Sequence, residues 1–176
     1  MKEKKIGPAT IRLLQGELTS CDVDGVINVT GKTLIPQETK KHQTQSLDSV
    51  LDEIEQAMDP NEVPVMVTDA GELKANHVLN TPTVETTVTS GAHKIRKTMR
   101  SILEEAQIQK LKSLALPAIG SGVNRYPLER CAEILLQEIA KSVSKDENSI
   151  ERIIFVLGTQ KSYRIFEQVL ENFEQE

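Results

Sequence analysis

The chain has 176 residues, 38% hydrophobic and 27% charged, which suits one globular domain over 1–176 with enough length to bury a core. Aromatics reach only 3% with no Trp, which argues against a stacking platform for single-stranded nucleic acid. The net charge of −5 removes the overall basic footprint of a duplex binder without excluding a local basic patch.

In chain order, 10–18 (TIRLLQGEL) alternates in part and reads as an edge strand. Residues 24–31 (DGVINVTG) read as a short buried strand, and the polar, Pro36-containing stretch 32–46 reads as a loop. A helix is expected over 46–58, where Leu47, Val50, Leu51, Ile54 and Met58 recur at helical spacing. Strands follow at 63–69 and 77–81, separated by a turn at Ala70–Gly71. Ile95, Met99, Ile102, Leu103 and Ala106 mark one face of a helix over 92–109. The remaining expectations are a strand at 111–119, a helix at 128–144, a strand at 150–158 and a helix at 162–173.

Apolar strands alternating with amphipathic helices imply an α/β fold, a mixed and mostly parallel sheet with helices on both sides in three layers. Ligands of such folds sit outside the carboxyl ends of the strands. The loops after Asn28 and after Ile119 are therefore the candidate ligand loops. In the second, Gly120 and Gly122 bracket Ser121. Two readings of that loop stay open. Its backbone N–H groups form a nest for a phosphate, or the glycines only supply positive φ to a tight strand-to-helix turn.

Four stretches, in this order, resemble the macro-domains that bind ADP-ribose: QGELTSCDVDGVIN, VMVTDAGELKANHVLNT, KSLALPAIGSGVNRYPLERCAEIL and IERIIFVLGTQKSYRIFEQVL. The resemblance covers about residues 11–173 and is nearest to the macro-domains of the histone variant and of macro-domain-containing ADP-ribosyltransferases. It implies an α/β/α sandwich that binds ADP-ribose or a mono- or poly-ADP-ribosylated protein.

The resemblance assigns the adenine amino contact to Glu17, with the Leu18 backbone beside it, and a ligand contact to Asn28, where the family begins its Asn-x-x-Asn run. It assigns the second phosphate loop to Gly120, Ser121, Gly122 and Val123, followed by Asn124. Several family features are replaced. Gly31 stands where a second Asn usually meets the distal ribose. Gln37, Glu38 and Thr39 stand where a glycine triplet usually lines the diphosphate, and Gly158 stands where an aromatic residue usually stacks on adenine. Asn28 has a second reading, as a buried amide that pins two loops.

No catalytic set is identifiable. Ser121 lacks a nucleophile-elbow context, and His42, His77 and His93 lack metal-ligand spacing. Cys131 reads as a core thiol, and with Cys21 it shares no CxxC pattern, which points to a reduced protein of the cytoplasm or nucleus. No run approaches the ~18–20 apolar residues of a membrane span. The expectation is a divergent, non-catalytic ADP-ribose module of reduced affinity, without cofactor, metal, membrane or nucleic-acid partner, and part of a larger multidomain protein. The alternatives are a macro-domain that has lost the nucleotide and serves as a protein-interaction scaffold, and an ADP-ribosyl hydrolase.

Overall fold

The computed structural model describes residues 2–29, 63–82, 91–120 and 126–175. Strands β1 (Glu3–Ile6), β2 (Ala9–Gln15), β3 (Gly25–Val29), β4 (Met66–Asp69), β5 (His77–Thr81), β6 (Ser113–Leu116) and β7 (Arg152–Leu157) form one sheet. Its order is β1-β2-β7-β6-β3-β5-β4. The five inner strands run parallel, and the two outer strands are antiparallel to their neighbours. The expected mixed, mostly parallel sheet is present. The expected helix over 46–58 and the loop over 32–46 lie outside the described residues.

Helices α1 (Gly91–Ile108), α2 (Leu128–Val143) and α3 (Gln160–Asn172) share one face of this sheet. Strand alternation shows how. Ile11, Leu13, Ile27, Leu79, Leu114, Leu116, Ile153, Phe155 and Leu157 point into one core with the apolar faces of all three helices. Their neighbours Val26, Val78, Ala115, Ile154 and Val156 point to the other face, where Cys21, Val23, Ala70 and Ala75 join them. Both faces are apolar, as parallel strands require. The pairing of Phe155 with Leu13 on one side and Leu116 on the other sets that register across the middle of the sheet.

Strand β2 is not the edge that its sequence suggests. Residues 3–6 pair antiparallel with it through a turn at Gly7–Pro8, where Gly7 takes φ +56°. The stretch EKKI looks too polar for a strand, but its side chains are divided by the pleat. Ile6 is buried in the helical core, and Lys4 Nζ donates to the carbonyl oxygens of Leu170, Glu171 and Phe173 at the end of α3. A lysine there satisfies carbonyls that a helix end leaves unpaired.

At the amino ends of the parallel strands Asp24 ties three of them together. Its Oδ2 accepts from the backbone N–H of Lys112 (2.8 Å) and Ser113 (3.3 Å), and its backbone carbonyl accepts from Asn76 and His77. Asp24 thus ties the amino ends of β3, β5 and β6, opposite the carboxyl ends at which ligands of parallel sheets bind. Among the described residues no helix is long and apolar enough to cross a membrane.

Candidate functional site

The carboxyl ends of β2, β7, β6, β3 and β5 lie side by side in that order. Along this edge the chain sets Glu17 and Leu18 after β2, Gly158 after β7, Gly120 after β6 and Asn28 near the end of β3. The ends of β2 and β7 are tied by Gly16 N–H donating to Leu157 O at 3.2 Å.

Glu17 opens a single 3-10 turn, Leu18–Ser20, from an extended backbone. Its carbonyl accepts from Ser20 N–H (3.2 Å) and Ser20 Oγ (2.8 Å), which fixes the turn while the side chain stays exposed. Leu18 is half-buried against the second core, so this turn has an apolar foot under an exposed carboxylate.

Asn28 is 3% exposed and stands opposite Asn80 across the β3–β5 pair. Asn28 Nδ2 donates to Asn80 Oδ1 at 2.9 Å. The direction of that bond follows from the next link. Asn80 Nδ2 meets Met66 O and Thr68 Oγ1, both at 3.0 Å, and a backbone carbonyl can only accept. The amide of Asn80 therefore turns its oxygen to Asn28, and Asn28 Oδ1 is left enclosed with no donor among the described residues. Asn28 is a buried amide, but what it links are strands: β3 to β5 directly and, through Asn80, to Met66 and Thr68 of β4, not two loops. Asn80, which sequence reasoning missed, is its partner; an asparagine directly after the apolar pair Val78–Leu79 in a strand is the signal that could have found it.

Gly120 follows Pro117, which ends β6, and it takes φ +91°. A Cβ placed there would lie 2.6 Å from both Cδ1 and Cγ1 of Ile95 on α1. Two requirements thus fall on one residue: a left-handed backbone and a side-chain-free contact with the helix. Ser121, Gly122, Val123 and Asn124 lie outside the described residues, as do Gly31, Gln37, Glu38 and Thr39. Of the residues assigned to a ligand, Glu17, Leu18, Asn28 and Gly120 are described, and the fold brings these four to one edge.

Gly158 is exposed, and a Cβ added there meets nothing within 4 Å. Thr159 then caps α3. Its side chain accepts from Ser162 N–H at 3.1 Å, and Ser162 Oγ faces Thr159 N–H at 3.3 Å, a reciprocal capping box. The helix expected from 162 therefore begins two residues earlier, with Ser162 in its first turn.

Cys131, on α2, is fully buried, and burial pushes its thiol up to about 11. A thiol held neutral in a core is a poor nucleophile. His77 belongs to the β4–β5 ladder opposite Asp69, and His93 is exposed on α1. Among the described residues no three His, Cys, Asp or Glu side chains converge as a metal site.

A family model described as Macro domain matches residues 40–135. An uncharacterised protein of Sulfurisphaera tokodaii is 35% identical over 107 residues, covering 61% of this chain and 58% of that protein, so this chain spans less than two thirds of that relative. The ADP-ribose glycohydrolase MACROD1 of Rattus norvegicus is 24% identical over 178 residues, covering 98% of this chain and 68% of that protein. Among solved structures, a mutant of the Oceanobacillus iheyensis macrodomain with ADPR superposes with a TM-score of 0.72 at 20% identity, covering 97% of this chain and 96% of that one. At that identity the likeness bears on the fold, and the fold is that of a macrodomain.

Proposed function

The chain belongs to the macro-domain family, and from that premise we propose that it is a non-catalytic module that binds ADP-ribose, free or attached to a protein, with reduced affinity. One observation carries the reading. Glu17, Leu18, Asn28 and Gly120 stand far apart in sequence, and the fold gathers them at the carboxyl ends of β2, β3 and β6, where a parallel sheet holds its ligand. The solved neighbour with ADPR and the relative named as an ADP-ribose glycohydrolase support the ligand class.

Reduced affinity follows from the adenine end. Gly158 offers no ring, and the missing stack forfeits about 1–3 kcal/mol, or roughly one to two decades in Kd. The replacement of the glycine triplet by Gln37, Glu38 and Thr39 works in the same direction, because side chains hinder close backbone approach and Glu38 repels a diphosphate. The non-catalytic part rests on Gly31, which has no side chain to hold a ribose hydroxyl or an attacking water. Incubation with a mono-ADP-ribosylated protein tests it: the proposal expects release of ADP-ribose at the rate of the enzyme-free control, and faster release overturns it.

A second reading, a scaffold that no longer takes the nucleotide, is favoured by the same replacements at Gly158 and Gln37–Thr39 together. Crystals soaked in ADP-ribose separate the two, since a nucleotide seated along the strand edge excludes the scaffold. In either case the setting we propose is intracellular and part of a larger protein, with ADP-ribosylated proteins as partners in the first reading and unmodified protein partners in the second.

A further inference from the structure

The amino ends of the parallel strands, opposite the edge described above, carry a surface that the ADP-ribose reading does not use. Helix α1 buries Ile95, Met99, Ile102 and Leu103 in the core, yet its last residue, Ile108, is 70% exposed. Among the described residues it is the one large apolar side chain left so open. A lone exposed isoleucine needs no explanation. This one stands at the rim of a hollow of about 1070 Å3 whose apolar lining comes from Pro8, Val143 and Ile150. A Cβ built on Gly7, next to Pro8, would lie 3.4 Å from Val143 Cγ2, so the β1–β2 turn rests against the end of α2. A knob and a hollow thus share one face.

Two connections build the polar rim. The α1–β6 connection supplies Lys110 and Lys112, and the α2–β7 connection supplies Asp146, Glu147 and Glu151 beside Lys145. The connections are fastened to each other. Glu151 N–H donates to Lys112 O at 2.8 Å, Ser149 Oγ to Leu111 O at 2.9 Å, and Gln107 Nε2 to Ser142 Oγ at 2.9 Å. The surface is therefore preformed, which lowers the ordering cost of binding. Lys112 and Glu151 approach at 3.8 Å with both side chains largely exposed, a weak pair, and Lys110, Lys145, Asp146 and Glu147 have no ion pair among the described residues. Lys110 also takes φ +56°, the left-handed conformation that glycine usually supplies after a helix, and Leu111 N–H closes that turn on Ala106 O at 2.9 Å. A lysine kept at such a position points to a use for its side chain.

We propose that this face is the interface of a two-fold dimer of the chain. In such a contact each patch meets a copy of itself, so the surface has to be self-complementary. The mixed rim does not suit a partner recognised by one sign of charge, such as a nucleic-acid backbone or an anionic membrane. It does suit a second copy. The two-fold operation sets the basic 110–112 connection of one copy against the acidic 146–147 connection of the other, and Ile108 of each against the hollow of the other. In the dimer the two carboxyl-end edges lie at opposite ends, so one assembly presents both. The association is independent of the ADP-ribose reading and is measured without nucleotide.

The test is sedimentation equilibrium of the whole chain from about 1 μM to about 1 mM, the range in which small interfaces associate. The expected result is a concentration-dependent monomer–dimer equilibrium that Ile108→Asp weakens about tenfold or more. Because Ile108 is exposed, the melting temperature of that variant at low concentration should match the parent chain. Lys110→Gly should weaken the dimer without lowering the melting temperature, an outcome that damage to the fold would not give. Charge reversal then identifies the second copy as the partner. Lys110→Glu/Lys112→Glu and Asp146→Lys/Glu147→Lys should each stay monomeric alone and form a mixed dimer when combined. A parent chain that stays monomeric throughout, a dimer that Ile108→Asp leaves intact, or reversed variants that do not associate on mixing overturns the proposal. Growth beyond the dimer overturns the two-fold geometry.

Discussion

At the scale of single residues, the glycines along the strand edge differ in what they are for. Gly120 is required by the fold, since its backbone is left-handed and the space for a Cβ is taken by Ile95. Gly120→Ala should cost about 2–4 kcal/mol, the sum of backbone strain and a forced shift of Ile95, read as a lower urea midpoint at unchanged slope. Gly158 is the reverse case. Its φ is not left-handed and a Cβ there meets nothing within 4 Å, so the position accepts a side chain at its root. Gly158→Tyr should leave stability nearly unchanged and tighten ADP-ribose by roughly one to two decades, measured by calorimetry, if a ring there stacks on adenine. An unchanged affinity would remove Gly158 from the account of the adenine end. Sequence alone could not separate these two glycines, because one is defined by a helix that packs beneath it and the other by empty space. Asn28 illustrates the same limit: its neighbour Asn80 lies 52 residues away, and the Met66 carbonyl that Asn80 Nδ2 meets decides which end of the amide is bound.

At the scale of elements, legibility followed how local the deciding interactions are. The strands at 24–31, 77–81 and 150–158 and the helices at 92–109 and 128–144 were readable because burial on their own faces imposes the pattern. Strand β6 is shorter than the apolar run 111–119 because Pro117 stops the ladder. Strand β1 is hidden in the sequence because EKKI carries one apolar residue, Ile6, although it pairs with β2 across a short turn; Lys4 is accommodated by carbonyls at the far end of α3. Helix α3 starts at Gln160, two residues before the helix expected at 162–173, because Thr159 is its cap and Ser162 the reciprocal partner in the first turn. Thr159→Ala should therefore destabilise the protein by about 1 kcal/mol, within roughly 0.5–2, with Ser162→Ala smaller or similar and the double substitution less than additive, all from denaturation curves. Thr159 directly follows Gly158, so the capping box anchors the chain immediately after it. An additive result would show that the two side chains do not act as one cap.

At the scale of the whole molecule, the sheet divides labour between its two ends. Asp24 knots the amino ends of β3, β5 and β6, and the carboxyl ends carry Glu17, Leu18, Asn28, Gly120 and Gly158. Charge is divided as well, for an acidic chain keeps a run of bases on the helix that borders the open end. We propose that this edge still takes ADP-ribose, although features that usually tighten the grip are replaced. Calorimetric titration of the whole chain with free ADP-ribose tests it most directly. The account predicts saturable, weak binding that also raises the melting temperature; no heat and no thermal shift at millimolar ligand would contradict it.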